Sequence, residues 1–330
     1  MSELTFEALY AKLQDLFNEK DYEAALVLAG EGAERYPEHR MLLDYWRMTM
    51  AARLERREDC LGVLRSTLAR GQWYGEVLLR KSPSLKYLQG EPDFEALVDR
   101  NRELAEVEQQ EIYPLYTLRP EGKCQSGRKA CPLLVGLHSN GGTVQTSLGF
   151  WRPAATAGWL VAAPQSTQAM WRGAYIWDNR EIAESETTHH FAALRSSYSV
   201  DVQHMVLAGH SLGGEIAIWL ALKGGLEVSG FLAIGPGGAW MDDLSEWEPL
   251  LHENAALEQL RGYFIVGEKD DTIPQDNVRR LAEMLAEAGV ACRLEVVEGV
   301  GHDFEAAYEP AVLRALQYIN HEDTKNTKNL

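Results

Sequence analysis

Long apolar runs are missing from this chain. None approaches the roughly 18 residues needed to cross a bilayer, so no membrane span is expected. The start, Met1 to Tyr10, carries Glu3 and Glu7 where a secretory leader has a basic segment and then an apolar one, and a cytoplasmic protein is the expectation. Positive charge is scarce: 32 lysines and arginines stand against 49 aspartates and glutamates, a net charge of -17. With no local basic patch, such a chain repels a phosphate backbone, so nucleic acid is excluded as an expected partner. Cysteine is sparse as well. Cys60, Cys124, Cys131 and Cys292 include no C-x-x-C and have no histidine at ligand spacing, so no metal is expected. Cys124 and Cys131 flank Gly127 and are able to face each other across a turn, but free thiols are the expectation for a cytoplasmic chain. Apolar residues are abundant at 45% of 330, enough for a large core, and the length is natural for two domains.

Residues 1–110 lack strand alternation and read as successive amphipathic helices, the first with the stripe Phe6, Leu9, Leu13, Leu16 and Phe17. Asp21 opens the next helix and Pro37 closes it. The run Asp21-Tyr22-Glu23-Ala24-Ala25-Leu26, followed by Ala29, Gly32, Ala33 and Pro37, resembles the second helix of a tetratricopeptide repeat, where small residues let paired helices approach. A second pair, Met41 to Ala52 and Glu58 to Arg70, has the length without the small residues, and Leu85 to Val98 is expected as a capping helix. A generic helical bundle is the alternative.

From Glu111 the pattern changes to strands alternating with helices, the signature of a mostly parallel sheet covered on both faces. Expected strands are Ile112 to Leu118, Pro132 to Leu137, Trp159 to Ala163, His204 to Ala208, Val228 to Ile234, Tyr263 to Val266 and Arg293 to Val297. Glu121 to Ala130 reads as a turn. Helices are expected over Asn179 to Tyr198, Glu215 to Lys223, Asn277 to Ala288 and Glu305 to Ile319. Ala239 to Leu260 reads as a short cap or a crossover. The polar, lysine-rich residues 321–330 are expected to be disordered. Three domains follow: helical over 1–110, catalytic over 111–320, and a tail.

Gly209-His210-Ser211-Leu212-Gly213 lies between an apolar, β-prone segment and a helix. A strand, a sharp turn and a helix are the setting in which a G-x-S-x-G exposes its serine as a nucleophile. A serine hydroxyl needs an adjacent base, and the base needs a partner to hold its tautomer. In this setting the chain order is serine, acid, histidine, and both partners belong in loops after strands. Only His252, His302 and His321 follow Ser211, and of these only His302 comes directly after a strand. His210 reads as a packing residue. Glu268, Asp270 and Asp271 are the candidate acids. Asp270, third after Gly267 and four before Pro274, is the choice, with Asp271 expected to cap the following segment. The loop His138-Ser139-Asn140-Gly141-Gly142 leaves backbone amides free to approach an anion. The aromatic loop after Trp159 to Ala163 brings Met170, Trp171, Tyr175 and Trp177, which with His138 are candidates for lining a substrate pocket.

Together Leu137 to Gly142, Ala163-Pro164 with Trp177-Asp178, Gly209 to Gly214, Asp270 and His302 resemble the α/β-hydrolase superfamily, in its phospholipase/carboxylesterase and dienelactone-hydrolase-like branch. The resemblance covers two thirds of the chain. It implies hydrolysis of carboxylic esters or thioesters of small molecules without a metal or cofactor. Ser211 is then the nucleophile, His302 the base and later acid, Asp270 its orienter, and the amides of Leu212 and Asn140 the oxyanion hole. Ser139 departs from the glycine usual at its position, which bears on the second amide donor. The strands before the first apolar one are reduced to one, so a sheet smaller than the full eight is implied. A peptidase using the same three residues is an alternative, and a helical-repeat interaction protein on an idle scaffold is a second. The N-terminal helices offer a surface for a protein partner or for self-association.

Overall fold

Thr5 and Asp21 start the first two helices as side-chain caps, accepting the amides of Ala8 and Ala24 at 3.3 and 3.1 Å. The computed structural model describes residues 5–106, 115–121, 124, 130–253, 257–303 and 306–320. The chain divides into two compact units, Met1–Glu111 with Ala169–Gly173, and Ile112–Gln168 with Ala174–Leu330.

The first unit is helical, with α1 Phe6–Asn18, α2 Tyr22–Arg35, α3 Arg40–Arg53, α4 Arg57–Ala69, α5 Glu76–Arg80 and α6 Pro92–Glu106. The small face of α2 (Ala25, Ala29, Gly32, Ala33) is buried against Leu9, Leu13 and Leu43. A Cβ on Gly32 would lie 3.1 Å from Leu9, so the approach of these helices depends on that glycine. The capping helix expected over Leu85 to Val98 is instead a 3-10 turn, Pro83–Leu88, followed by α6. Gly90 at φ +84 breaks the run, and Pro92 begins the helix where its missing N–H costs nothing.

Residues 169–173 also belong to this unit. The Gly75 amide donates to the Met170 carbonyl at 2.5 Å, and Trp171 packs against the α3–α6 cluster, edge-on to Tyr74 with ring centroids 6.3 Å apart. Trp171, expected to line a substrate pocket, is thus a packing residue of the helical unit, and Met170, expected beside it, is tied to that unit through its backbone. A sequence window cannot show this, because their partners lie about a hundred positions upstream.

The second unit contains β1 Leu115–Leu118, β2 Cys131–Leu137, α7 Val144–Thr156, β3 Leu160–Pro164, β5 Ala174–Tyr175, α8 Arg180–Ser197 and β6 Val200–His210, while β4 Ala169–Trp171 belongs to the first. It continues with α9 Leu212–Lys223, β7 Gly230–Ile234, α10 Ala239–Asp242, α11 Glu248–Glu253, β8 Arg261–Gly267, α12 Gln275–Glu287, β9 Ala291–Val297 and α13 Glu309–Ile319. Among the described residues the main sheet has seven strands in the order β1-β3-β2-β6-β7-β8-β9, all parallel except β1. The period-2 alternation of the strands sorts their side chains. Leu207, Phe231 and Phe264 face one cluster, with α8, α9 and α12, while Val206, Leu232 and Ile265 face the other, with α7 and α13.

Residues 143–158, for which no element is expected from the sequence, contain α7. Thr143 caps it with a reciprocal Thr143–Thr146 capping box. Pro153 inside the helix and Gly149 are the residues that obscure it in the sequence. Among its described residues the 239–260 connection has two short helices and two 3-10 turns, anchored by the fully buried Trp247. Cys124 and Cys131 form a disulfide, their Cα atoms 5.3 Å apart, which replaces the free-thiol expectation. Such bonds persist mainly in oxidising compartments, so the cytoplasmic expectation draws no support from the structure. Residues 112–114 of the expected first strand, most of the 121–130 turn and the tail lie outside the described residues. Among the described residues no helix is long and apolar enough to cross a membrane.

Candidate active site

The chain runs outward from β2 to β3 and then returns to β6 on the other side of β2, so the crevice at the strand ends opens between β2 and β6. Register places Leu137 beside Gly209, and therefore the His138–Gly142 loop beside the turn that begins at His210. Ser211, between β6 and α9, has φ 54 and ψ -126, a conformation that costs a non-glycine residue on the order of 1–3 kcal/mol. Its backbone is held by Ser211 N–H to Ile234 O at 3.0 Å, and by Gly214 N–H and Gly237 N–H to Ser211 O at 2.8 and 3.2 Å. The turn is closed by contact. A Cβ on Gly209 would lie 2.0 Å from Gly213 O, and one on Gly213 would lie 2.4 Å from His138 O. The first turn of α9 thereby abuts the β2 loop.

Asp270, in the loop after β8, is almost fully buried. Its Oδ2 lies 2.8 Å from His302 Nδ1, and its Oδ1 accepts the amides of Thr272 and Ile273 at 3.0 and 3.1 Å. Burial raises the Asp270 pKa, but the His302 ring and the two amides outweigh it, and the net shift is below the ordinary value. The cap expected of Asp271 thus falls to Asp270, while Asp271 and Glu268 are exposed. Glu268 Oε2 accepts the Gly299 amide at 2.9 Å instead. Gly235, at φ +46, backs the pair so closely that a Cβ there would lie 3.1 Å from both Asp270 Oδ2 and His302 Nδ1. Among the described residues no hydrogen bond joins the Ser211 hydroxyl to His302, a bond that is often long before substrate enters.

Several holding residues have no signal in the sequence. Gln275 Nε2 donates to Gly267 O and Asp270 O at 3.0 and 3.2 Å, tying down the acid loop. Tyr308 OH donates to Gly301 O at 2.6 Å, steadying the histidine loop. His210 packs, as expected from its place in the turn, stacked on Phe150 with ring centroids 4.5 Å apart. Burial, and after it the proximity of His302, lowers its pKa to about 4.

The other pocket candidates separate. Trp177 is fully buried in the core, its indole N–H donating to His138 O at 3.1 Å. His138 is also fully buried, and burial lowers its pKa to about 4. Neither faces solvent, which overturns their assignment to a pocket wall. Tyr175 is half-buried, bridged by its backbone to Gly142, and stands at the edge of the loop. Leu212 begins α9, and the exposed Asn140 sits at the turn of the β2 loop.

A mostly parallel sheet with helices on both faces and a strained serine between β6 and α9 defines an α/β-hydrolase fold. Residues 161–328, a little over half the chain, match the dienelactone hydrolase family, and the chain belongs to that family. In broad class it is an ester-hydrolysing enzyme. No curated protein matches the chain. Among solved structures, an uncharacterized protein from Bacillus cereus ATCC 10987 is similar at 20% identity over 96% of this chain and 99% of that one, with a TM-score of 0.51, so it shares the fold. Esterase PE8 is similar at 18% identity over 63% of this chain and 99% of its own, TM-score 0.48. An esterase from Thermogutta terrifontis, Est2, is similar at 20% identity over 64% and 89%, TM-score 0.43.

Proposed function

We propose that the protein is a serine carboxylesterase acting through an acyl-enzyme on Ser211. The observations that carry this reading are the Asp270–His302 pair at 2.8 Å, its carboxylate buried, and the strained serine at φ 54 between β6 and α9. Ser211 Oγ attacks the ester carbonyl and passes its proton to His302 Nε2. Asp270 holds the imidazole with Nδ1–H and balances the imidazolium charge. The carbonyl oxygen becomes an oxyanion that the Leu212 and Asn140 amides stabilise; one such donor is worth about 3 to 4 kcal/mol of barrier. Collapse breaks the ester C–O bond, and His302 gives its proton to the leaving alcohol. Water then attacks the acyl-enzyme, with His302 as base, releasing the carboxylic acid and restoring Ser211. The scheme uses only these side chains and amides, with no metal or cofactor.

Tyr175, half-buried and bridged to Gly142 at the edge of the β2 loop, is proposed to contact the substrate. The helical unit is assigned to a protein partner or self-association, and its tetratricopeptide-like small-residue face on α2 supports a repeat-type packing. A fluorophosphonate probe should label the full-length protein and fail to label Ser211→Ala, which should also lose nearly all p-nitrophenyl ester turnover. Retention of more than about a tenth of wild-type kcat/KM by that variant refutes the assignment. Turnover of a p-nitrophenyl ester beside a thioester and a peptide anilide separates the esterase from a thioesterase or peptidase on the same residues.

A further inference from the structure

We infer that His138 is a positioning residue that locks the Ser139–Asn140 peptide so that the Asn140 amide faces the oxyanion; this rests on the esterase reading above. The tautomer of His138 follows from its neighbours. The Ser166 amide is only a donor and donates to His138 Nε2 at 3.2 Å. The Val144 amide, also only a donor, meets Gln165 Oε1 at 2.9 Å, which turns the Gln165 amide nitrogen toward His138 Nε2 at 3.0 Å. Nε2 therefore carries no proton, and the ring hydrogen is on Nδ1.

Nδ1–H donates to the carbonyl oxygen of Ser139 at 2.9 Å, and the Gly142 amide donates to the same oxygen at 3.0 Å. In a trans peptide the C=O and N–H point in opposite directions. Holding the Ser139 oxygen toward the loop interior turns the Asn140 N–H outward. The flipped peptide would put an N–H against two donors and lose both bonds, a costly exchange inside the fold. The His138 ring is held by full burial, by the Trp177 ring with centroids 4.9 Å apart and by the two donors at Nε2, while its backbone carbonyl is fixed by the Trp177 indole N–H at 3.1 Å. The lock also accounts for serine at 139. That residue does not have positive φ, while Gly141 at φ +68 takes the left-handed position, so no glycine is needed before Asn140.

Two substitutions in the full-length protein divide the functions of the two ring nitrogens. His138→Asn places an amide N–H near the position of Nδ1 and offers nothing at Nε2. His138→Gln reaches the position of Nε2 with an oxygen and has no donor at the position of Nδ1, from which Ser139 O is held. The expected result is a kcat about 10²–10³ lower for His138→Gln, with KM changed less than about threefold, and a kcat within about tenfold of wild type for His138→Asn. Crystal structures should show the Ser139–Asn140 peptide reversed in His138→Gln and unchanged in His138→Asn. Equal losses in the two variants, or an unreversed peptide in both, overturn the lock. If the wild-type protein neither hydrolyses esters nor takes a fluorophosphonate on Ser211, the esterase reading fails instead, and the peptide orientations still decide the lock.

Discussion

His210 donates its Nε2–H to the backbone carbonyl of His302 at 2.8 Å, so the residue preceding the elbow serine anchors the loop that carries the base candidate. The bond requires His210 to present Nε2–H, and burial among apolar rings keeps it neutral.

Acid should therefore destabilise the fold before it reaches the ordinary carboxylates. His138, His190 and His210 are each lowered to about 4 by burial in the native state, against about 6.5 when unfolded. Between those values the unfolded chain binds protons that the native chain does not, so stability is full above pH 6.5 and falls as pH drops toward 4. Calorimetry should show Tm falling steadily between pH 7 and pH 4.5; a flat or rising Tm contradicts the burial of these rings.

Asp270→Asn should cut kcat by about 10³–10⁴, because the carboxamide cannot hold His302 with Nδ1–H and balance its charge. Tm should change little, because the asparagine oxygen still accepts the Thr272 and Ile273 amides. The exposed Asp271→Asn should change both little. Side-by-side kinetics that reverse this ranking would move the acid role to Asp271.

Thiol titration should find two reactive thiols in the unfolded, unreduced chain and four after reduction, since Cys124 and Cys131 are paired. In the native protein both Cys60 and Cys292 should react slowly, because burial pushes each thiol up to about 12. Four thiols without reductant would show the pair to be open.

Trp171→Ala should lower Tm, at a cost of about 2 to 3 kcal/mol, while leaving KM for acetate and decanoate esters unchanged, because Trp171 packs against the helical cluster. An unchanged Tm with a raised KM for the longer ester would return Trp171 to the pocket.

Local pattern carried much of this molecule. Unbroken apolar runs in Leu133 to Leu137 and Met205 to Ala208, with glycines at 209 and 213, are short-range signals, and they specify buried strands and a tight strand-to-helix turn whatever surrounds them. The position of His302 after the last strand is equally local, since strand ends in a parallel sheet converge on one edge. The tertiary structure alone decided what depends on distant partners. Met170 and Trp171 read as pocket-lining residues, yet their neighbours Tyr74 and Gly75 come from the helical unit. The disulfide depended on where Cys124 returns to β2. His138 read as a pocket residue because composition shows a polar ring in a loop; only the approach of Ser166, Gln165 and Trp177 buries that ring, and burial makes it a fixed neutral donor.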